Sequence, residues 1–281
     1  MSYQQYRPSS FKLLPEVVKN LLIINGLFYL ATYVFQIRFH IDLTDYLGLH
    51  YFESEKFRPW QFITYMFMHG SFMHIALNMF ALWMFGSSME NVWGPKRFLT
   101  FYIFTGLGAA LTHYLVVYFQ LAPVVHAIDA YVANPSPTAL NAFLNDPSLF
   151  SFSIDNVQQN FQPFAHQYNE LLITNPTQAQ QLSIDFIQQY RADFLNAPVV
   201  VGASGAVFGL LLAFGMTFPN SIIYIYFAIP MKAKYFVMLY GAIELYNGVT
   251  NSSDNVAHFA HLGGMLFGIG LILYWRNKFR F

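Results

Sequence analysis

Two short stretches carry residue types that could do acyl chemistry together. The first, Val199-Val200-Val201-Gly202-Ala203-Ser204-Gly205-Ala206-Val207-Phe208-Gly209, sets Ser204 among glycines. The second, Ala257-His258-Phe259-Ala260-His261-Leu262-Gly263-Gly264-Met265-Leu266-Phe267-Gly268, sets His261 in an equally apolar run. A serine hydroxyl is a weak nucleophile until a base takes its proton, and imidazole suits that task. A lone serine in an apolar helix ordinarily bonds to a carbonyl one turn earlier and serves packing. The glycines change that balance. Gly202, Gly205 and Gly209 leave nearly bare faces on one helix, and Gly264 and Gly268 leave a bare face on the other. Such faces allow close approach of two helices, and they leave the Ser204 hydroxyl uncovered. An ionisable side chain in a membrane span is a functional candidate by default, which singles out His261. His74 and Asn78 lie four apart, so they share one face of a helix. Both could donate hydrogen bonds to an oxyanion forming on an attacked carbonyl.

Other chemistries compete for the same residues. His69, His74, His258 and His261 could coordinate zinc. The His-Glu-x-x-His spacing of a metallopeptidase is absent, however, and no paired aspartates stand in the apolar runs. No metal and no cofactor is therefore expected. His69 and His258 are expected to be structural or to lie at a substrate edge. Glu90 and Glu244 are single carboxylates, expected to serve helix ends and loops. Asn78 could also simply tie two helices together.

The elements that hold these residues are membrane helices. The chain has 281 residues, of which 56% are hydrophobic and 10% charged, with a net charge of zero. That composition indicates an all-α, polytopic membrane protein. A neutral chain lacks the basic patch that nucleic acid requires. With no cysteine, thiol chemistry is excluded. No cleaved signal peptide is expected, since the first apolar run lacks a small-residue cleavage site.

Six spans are expected. They run from Val17 to Gln36, from between Phe62 and Phe72 to Ser88, from Phe98 to Phe119, from Val199 to Phe218, from Tyr235 to Gly248, and from Val256 to Trp275. Ser71 suits an N-cap for the second. Residues 120–198 are too polar to span and form an extramembrane helical insert within a single 1–281 membrane domain. Asn175-Pro176 reads as a cap followed by proline at the first helical position. Phe161, Phe164, Tyr168 and Leu171 make one apolar stripe, and Leu182, Phe186, Tyr190 and Phe194 make another. Both stripes are expected in a helical hairpin.

Basic residues set the orientation. Ten of the 14 fall on the side of the two termini: Arg7, Lys12, Lys19, Lys96, Arg97, Lys232, Lys234, Arg276, Lys278 and Arg280. The positive-inside rule puts that side in the cytoplasm. The plasma (inner) membrane is the expected location, with the insert and the Ser204 end outside. If the fourth span starts at Val199, Ser204 lies roughly 7 to 8 Å below its outer end, and His261 lies similarly deep. His74 and Asn78 lie about 5 and 10 Å down their span by the same rise.

These motifs, in this order, resemble the rhomboid intramembrane serine proteases. The family pattern Gly-x-Ser-Gly appears as Gly202 to Gly205. His-x-x-Gly-x-x-x-Gly appears as His261 to Gly268, and His-x-x-x-Asn as His74 to Asn78. Glu90-Asn91-Val92-Trp93-Gly94-Pro95-Lys96-Arg97 and Pro59-Trp60-Gln61 are also similar to the family's loops. The resemblance covers nearly the whole chain except 120–198. It implies a six-helix rhomboid-like bundle that cleaves transmembrane segments of membrane proteins in the bilayer. It implies a Ser204–His261 dyad with no third acid, and an oxyanion site of His74, Asn78 and the Ser204 amide. Phe208 stands where several relatives carry a tyrosine that stacks on the histidine. Substrate entry would pass the fifth helix and a loop at Val249 to Asn255. An inactive relative that binds membrane helices is the alternative; it would typically lack the serine or the histidine, and this chain has both. A transporter is disfavoured, since no inverted repeat or broken-helix pair is visible.

Overall fold

Glu90 closes the start of the first helix. In the computed structural model, which describes residues 11–225, 228–250 and 257–279, α1 covers Glu16–Phe39. Its N-cap, Pro15, offers no side-chain bond to the first amides. The Glu90 carboxylate accepts them instead, from Val17 N at 3.0 Å and Val18 N at 2.8 Å. The first amides of a helix have no partner within it, and an anion there also suits the helix dipole. Asn91 exchanges two further bonds with the Lys12 backbone. Glu90 thus serves a helix end, as the sequence led us to expect.

Besides short helical turns, the remaining helices are α2 (Phe72–Trp93), α3 (Pro95–Ala133), α4 (Pro137–Asn145), α5 (Asp155–Thr174), α6 (Pro176–Asn196), α7 (Ser204–Thr217), α8 (Ala233–Thr250) and α9 (His258–Phe279). An antiparallel pair, β1 (Ile222–Ile225) and β2 (Ile229–Lys232), precedes α8. The chain divides into two units. The first comprises Met1–Leu49, Pro59–His113 and Val200–Phe281; the second comprises His50–Arg58 and Tyr114–Val199.

The first unit packs through small residues. A Cβ on Gly264 of α9 would overlap the Gly205 carbonyl oxygen of α7. One on Gly205 would overlap the Ala109 methyl of α3, and one on Gly209 would stand 2.8 Å from the Thr105 Cβ. α9 and α7 therefore touch backbone to backbone, and α7 meets only small side chains of α3, which is how association proceeds where lipid removes the hydrophobic driving force. Ser71 caps α2 by accepting the His74 amide at 3.1 Å. A π turn at Leu82–Gly86 interrupts α2.

The second unit packs through aromatic rings. Phe164 and Phe186 stack at 3.9 Å with planes 9° apart, and Phe150, Phe161 and Tyr190 close around them. The two predicted stripes thus meet each other. The hairpin expected there is too small, because α3 and α4 also supply Val124, Ile128, Tyr131, Leu140 and Phe143 to the core. The third helix accordingly does not stop at Phe119. Leu121, Val124, Ile128 and Tyr131 prolong its apolar stripe at spacings of three and four, and all are buried.

Four described helices are long and apolar enough to cross a membrane: Glu16–Phe39, Phe72–Trp93, Pro95–Ala133 and His258–Arg276. Six had been expected. The expected fourth span starts late, at Ser204, because Val199–Val200 is extended and Gly202 takes a φ of 128°. That leaves an apolar helix of 14 residues. The expected cap, Val249 to Asn255, lies outside the described residues from 251 onward.

Candidate active site

Three helix beginnings supply the candidate residues. Ser204 is the first residue of α7, His74 the third of α2, and His261 the fourth of α9. Ser204 is therefore not five residues down a helix, as the unbroken apolar run suggests. It stands at the terminus itself, where the first amides lack partners within the helix.

Gly202 makes this possible. Its φ of 128° lies in a region that side chains rarely adopt. Its amide donates to the Tyr65 carbonyl at 2.9 Å, which fixes the turn before Ser204. A Cβ at Gly202 would stand 2.7 Å from His74 Nε2 and 3.5 Å from Ser204 Oγ. The space a side chain would fill thus separates the serine hydroxyl from the His74 ring. The Asn78 side-chain amide donates to the His74 carbonyl at 3.0 Å, on its own helix.

His261 contacts three groups. Its Nε2 lies 2.8 Å from Ser204 Oγ. Its ring lies flat on Phe208, with centroids 4.3 Å apart and planes within 4°. Its Nδ1 lies 2.8 Å from Glu244 Oε2, and His258 Nδ1 lies 2.7 Å from that same oxygen. Glu244, His258 and His261 are all buried. An ionised carboxylate only accepts, so both histidines then carry their proton on Nδ1. That leaves His261 Nε2 with a lone pair for the serine proton.

His261 thus has an acidic neighbour, which the sequence did not lead us to expect. Glu244, expected to serve a helix end or loop, binds two histidine side chains in the first turn of α9. The sequence does carry a signal for this contact. A lone carboxylate in an apolar helix needs a buried partner, and His258 and His261, three apart, share a helix face. Either could be that partner, and both are.

The four-histidine zinc arrangement is not assembled among the described residues. The group whose ligand atoms come within 4.8 Å of one another is Glu244, His258 and His261. The separations of 2.7 and 2.8 Å are hydrogen-bond lengths. His69 is buried, and its ring forms a T-shaped pair with that of His74 at a centroid distance of 4.9 Å. Burial, and after it the neighbouring His74, pushes its pKa down to about 4, so it is neutral at pH 7.

Comparison with known proteins identifies the family. Residues 56–126 and 177–278 match the Rhomboid domain. The chain is 26% identical to RHOMBOID-like protein 12, mitochondrial, of Arabidopsis thaliana over 268 residues, which is 95% of this chain and 60% of that protein. It is 35% identical to Rhomboid-like protein 11, chloroplastic, of the same plant over 98 residues, 34% of this chain and 32% of that protein. The chain thus spans about 60% of the length of the first relative. The domain match covers more than half of the sequence, and with its apolar helices this multi-pass membrane protein belongs to the rhomboid family.

Proposed function

We propose that this chain is an intramembrane serine protease that cuts peptide bonds in or near transmembrane segments of other membrane proteins. The observation that carries the proposal is the 2.8 Å contact between Ser204 Oγ and His261 Nε2. The serine oxygen attacks a substrate carbonyl, and its proton passes to His261 Nε2. The resulting oxyanion is held by the Ser204 amide at the start of α7, by His74 and by Asn78. Collapse breaks the C–N bond, and the leaving amine takes the proton from His261. Water then repeats the sequence on the acyl-serine and restores both residues. Phe208 keeps the imidazole plane fixed through these steps. No metal takes part in this scheme.

The basic residues near the ends support a reading with the termini in the cytoplasm and the site at the outer face of the plasma membrane. The relatives are named mitochondrial and chloroplastic, so membrane fractionation decides between plasma and organelle membranes. The region 120–198 sets substrate choice and leaves the chemistry to the first unit. Replacing residues 125–193 by a Gly/Ser linker keeps Ser204 reactive and changes which substrates are cut.

The decisive experiment is labelling of the purified protein by a fluorophosphonate, together with cleavage of a model transmembrane substrate. Both occur in the natural sequence, and both vanish in Ser204→Ala and His261→Ala while the proteins still fold. A folded natural protein that neither labels nor cuts is instead a binder of membrane helices.

A further inference from the structure

We propose that Glu244 is the third member of the catalytic relay, a positioning residue that holds His261, and that His258 in turn holds Glu244. The proposal rests on the protease reading above. Its basis is the single oxygen Oε2, which lies 2.8 Å from His261 Nδ1 and 2.7 Å from His258 Nδ1.

A buried carboxylate is costly unless it is paired and hydrogen-bonded. Two N–H donors converging on one oxygen offset that cost and fix where the oxygen sits. Three consequences follow for His261. Its Nδ1 must carry the proton, so Nε2 faces Ser204 with a lone pair. Its ring is held at the edge by Glu244 and on the face by Phe208, which leaves little freedom to turn away from the hydroxyl. When it accepts the serine proton, the imidazolium lies against an anion that is already in place, with no solvent to rearrange. Serine hydrolases of other folds use an acidic residue in this way, and the acid itself does not become protonated.

His258 supplies what water supplies to an exposed acid. Without it, the carboxylate would hold one donor in a largely buried site. Glu244 comes from α8 and both histidines from the first turn of α9, so the arrangement also fastens the starting end of α9 to α8. A purely structural tie would be satisfied by any donor–acceptor pair. An orienting role requires the negative charge.

The test compares kcat and KM on a model transmembrane substrate with fluorophosphonate labelling, in folded detergent-solubilised protein. Glu244→Gln keeps size and hydrogen bonding but loses the charge. It is expected to lower kcat by roughly 10²- to 10⁴-fold, with KM changed by less than about threefold. His258→Ala is expected to cost roughly tenfold in kcat, about one catalytic hydrogen bond. His258→Asn, whose amide can donate near the position of Nδ1, restores most of that loss. Full kcat in Glu244→Gln overturns the proposal while Ser204-dependent cleavage keeps the protease reading. Absence of Ser204-dependent cleavage in the folded natural protein overturns both. If Glu244→Gln does not fold, Glu244→Asp decides, since its shorter side chain draws the oxygen back by about one bond length; natural kcat there refutes an orienting contact. Loss of activity in phenanthroline, restored by zinc, assigns Glu244, His258 and His261 to a metal and also overturns the proposal.

Discussion

The two units solve the packing problem by opposite means. Around Ser204 the helices are held by what is missing: Gly264 meets the Gly205 backbone directly, and Gly205 and Gly209 leave room only for the small side chains of Ala109 and Thr105. In the second unit the helices are held by bulk, with Phe150, Phe161, Phe164, Phe186 and Tyr190 in mutual ring contact. Two physical rules bear on the difference. Water drives large apolar side chains together and rewards area. Lipid gives no such reward, so close fit and hydrogen bonds must hold the helices. Close fit also serves precision. A hydroxyl and a ring nitrogen that must meet at 2.8 Å are better placed by rigid backbone contact than by flexible side chains.

The contrast can be broken most severely at Gly264. Gly264→Val places a side chain where the Gly205 carbonyl stands. We expect loss of folded protein and of all fluorophosphonate labelling, read by size-exclusion chromatography and gel fluorescence. Monodisperse, labelling protein would show that the crossing is not needed.

A large deletion in the second unit should act differently. Phe164→Ala removes a stacked, buried ring and should cost about 3–5 kcal/mol of that unit's stability. Limited proteolysis between residues 134 and 198 should then speed up while Ser204 labelling persists. Equal loss of labelling would mean that the two units fold as one.

The comparison is sharpened within the site by Asn78→Ala. Loss of one oxyanion donor should lower kcat by about 10²-fold, or about 3 kcal/mol, with little change in KM. A rise in KM at constant kcat would return Asn78 to its bond with the His74 carbonyl as its sole task. The smallest effect belongs to the Arg191–Glu53 pair of the second unit, 3.0 Å long with both side chains about a third exposed. A double-mutant cycle on thermal stability should give a coupling under about 1 kcal/mol. A larger value would make charge, rather than ring packing, a principal support of that unit.

Much of this was visible in the sequence because it is local. A cap such as Ser71, a stripe such as Phe161 to Leu171, and bare faces around Gly205 and Gly264 can be read from spacing alone. The pairing of Ser204 with His261 followed from two bare faces that had to meet. The starting point of α7 was hidden, because hydropathy counts Val199 to Ala203 as apolar whether or not the backbone is helical. The extended backbone at Val199–Val200 and the φ of Gly202 interrupt the run. The prolonged α3 was hidden because its partners, Leu140, Phe143 and Ile187, arrive from later helices. The partners of Glu244 are hidden for a similar reason. A single acid reads as isolated until the fold shows which donors come within reach.

The carboxylate of Glu90, which closes α1, has a consequence for the order of events during synthesis. The residues it binds, Val17 and Val18, precede it by 73 and 72 positions. At 5–20 residues per second, the chain spends on the order of 4–15 s making the intervening segment. Throughout that interval the leading amides of the first helix must rely on water or lipid headgroups. The first helix to be made is therefore among the last to be finished. Its long lipid-facing stripe, with Ile23, Leu27 and Leu30 exposed, suits a segment that waits in the bilayer until residues 87–93 arrive to receive it.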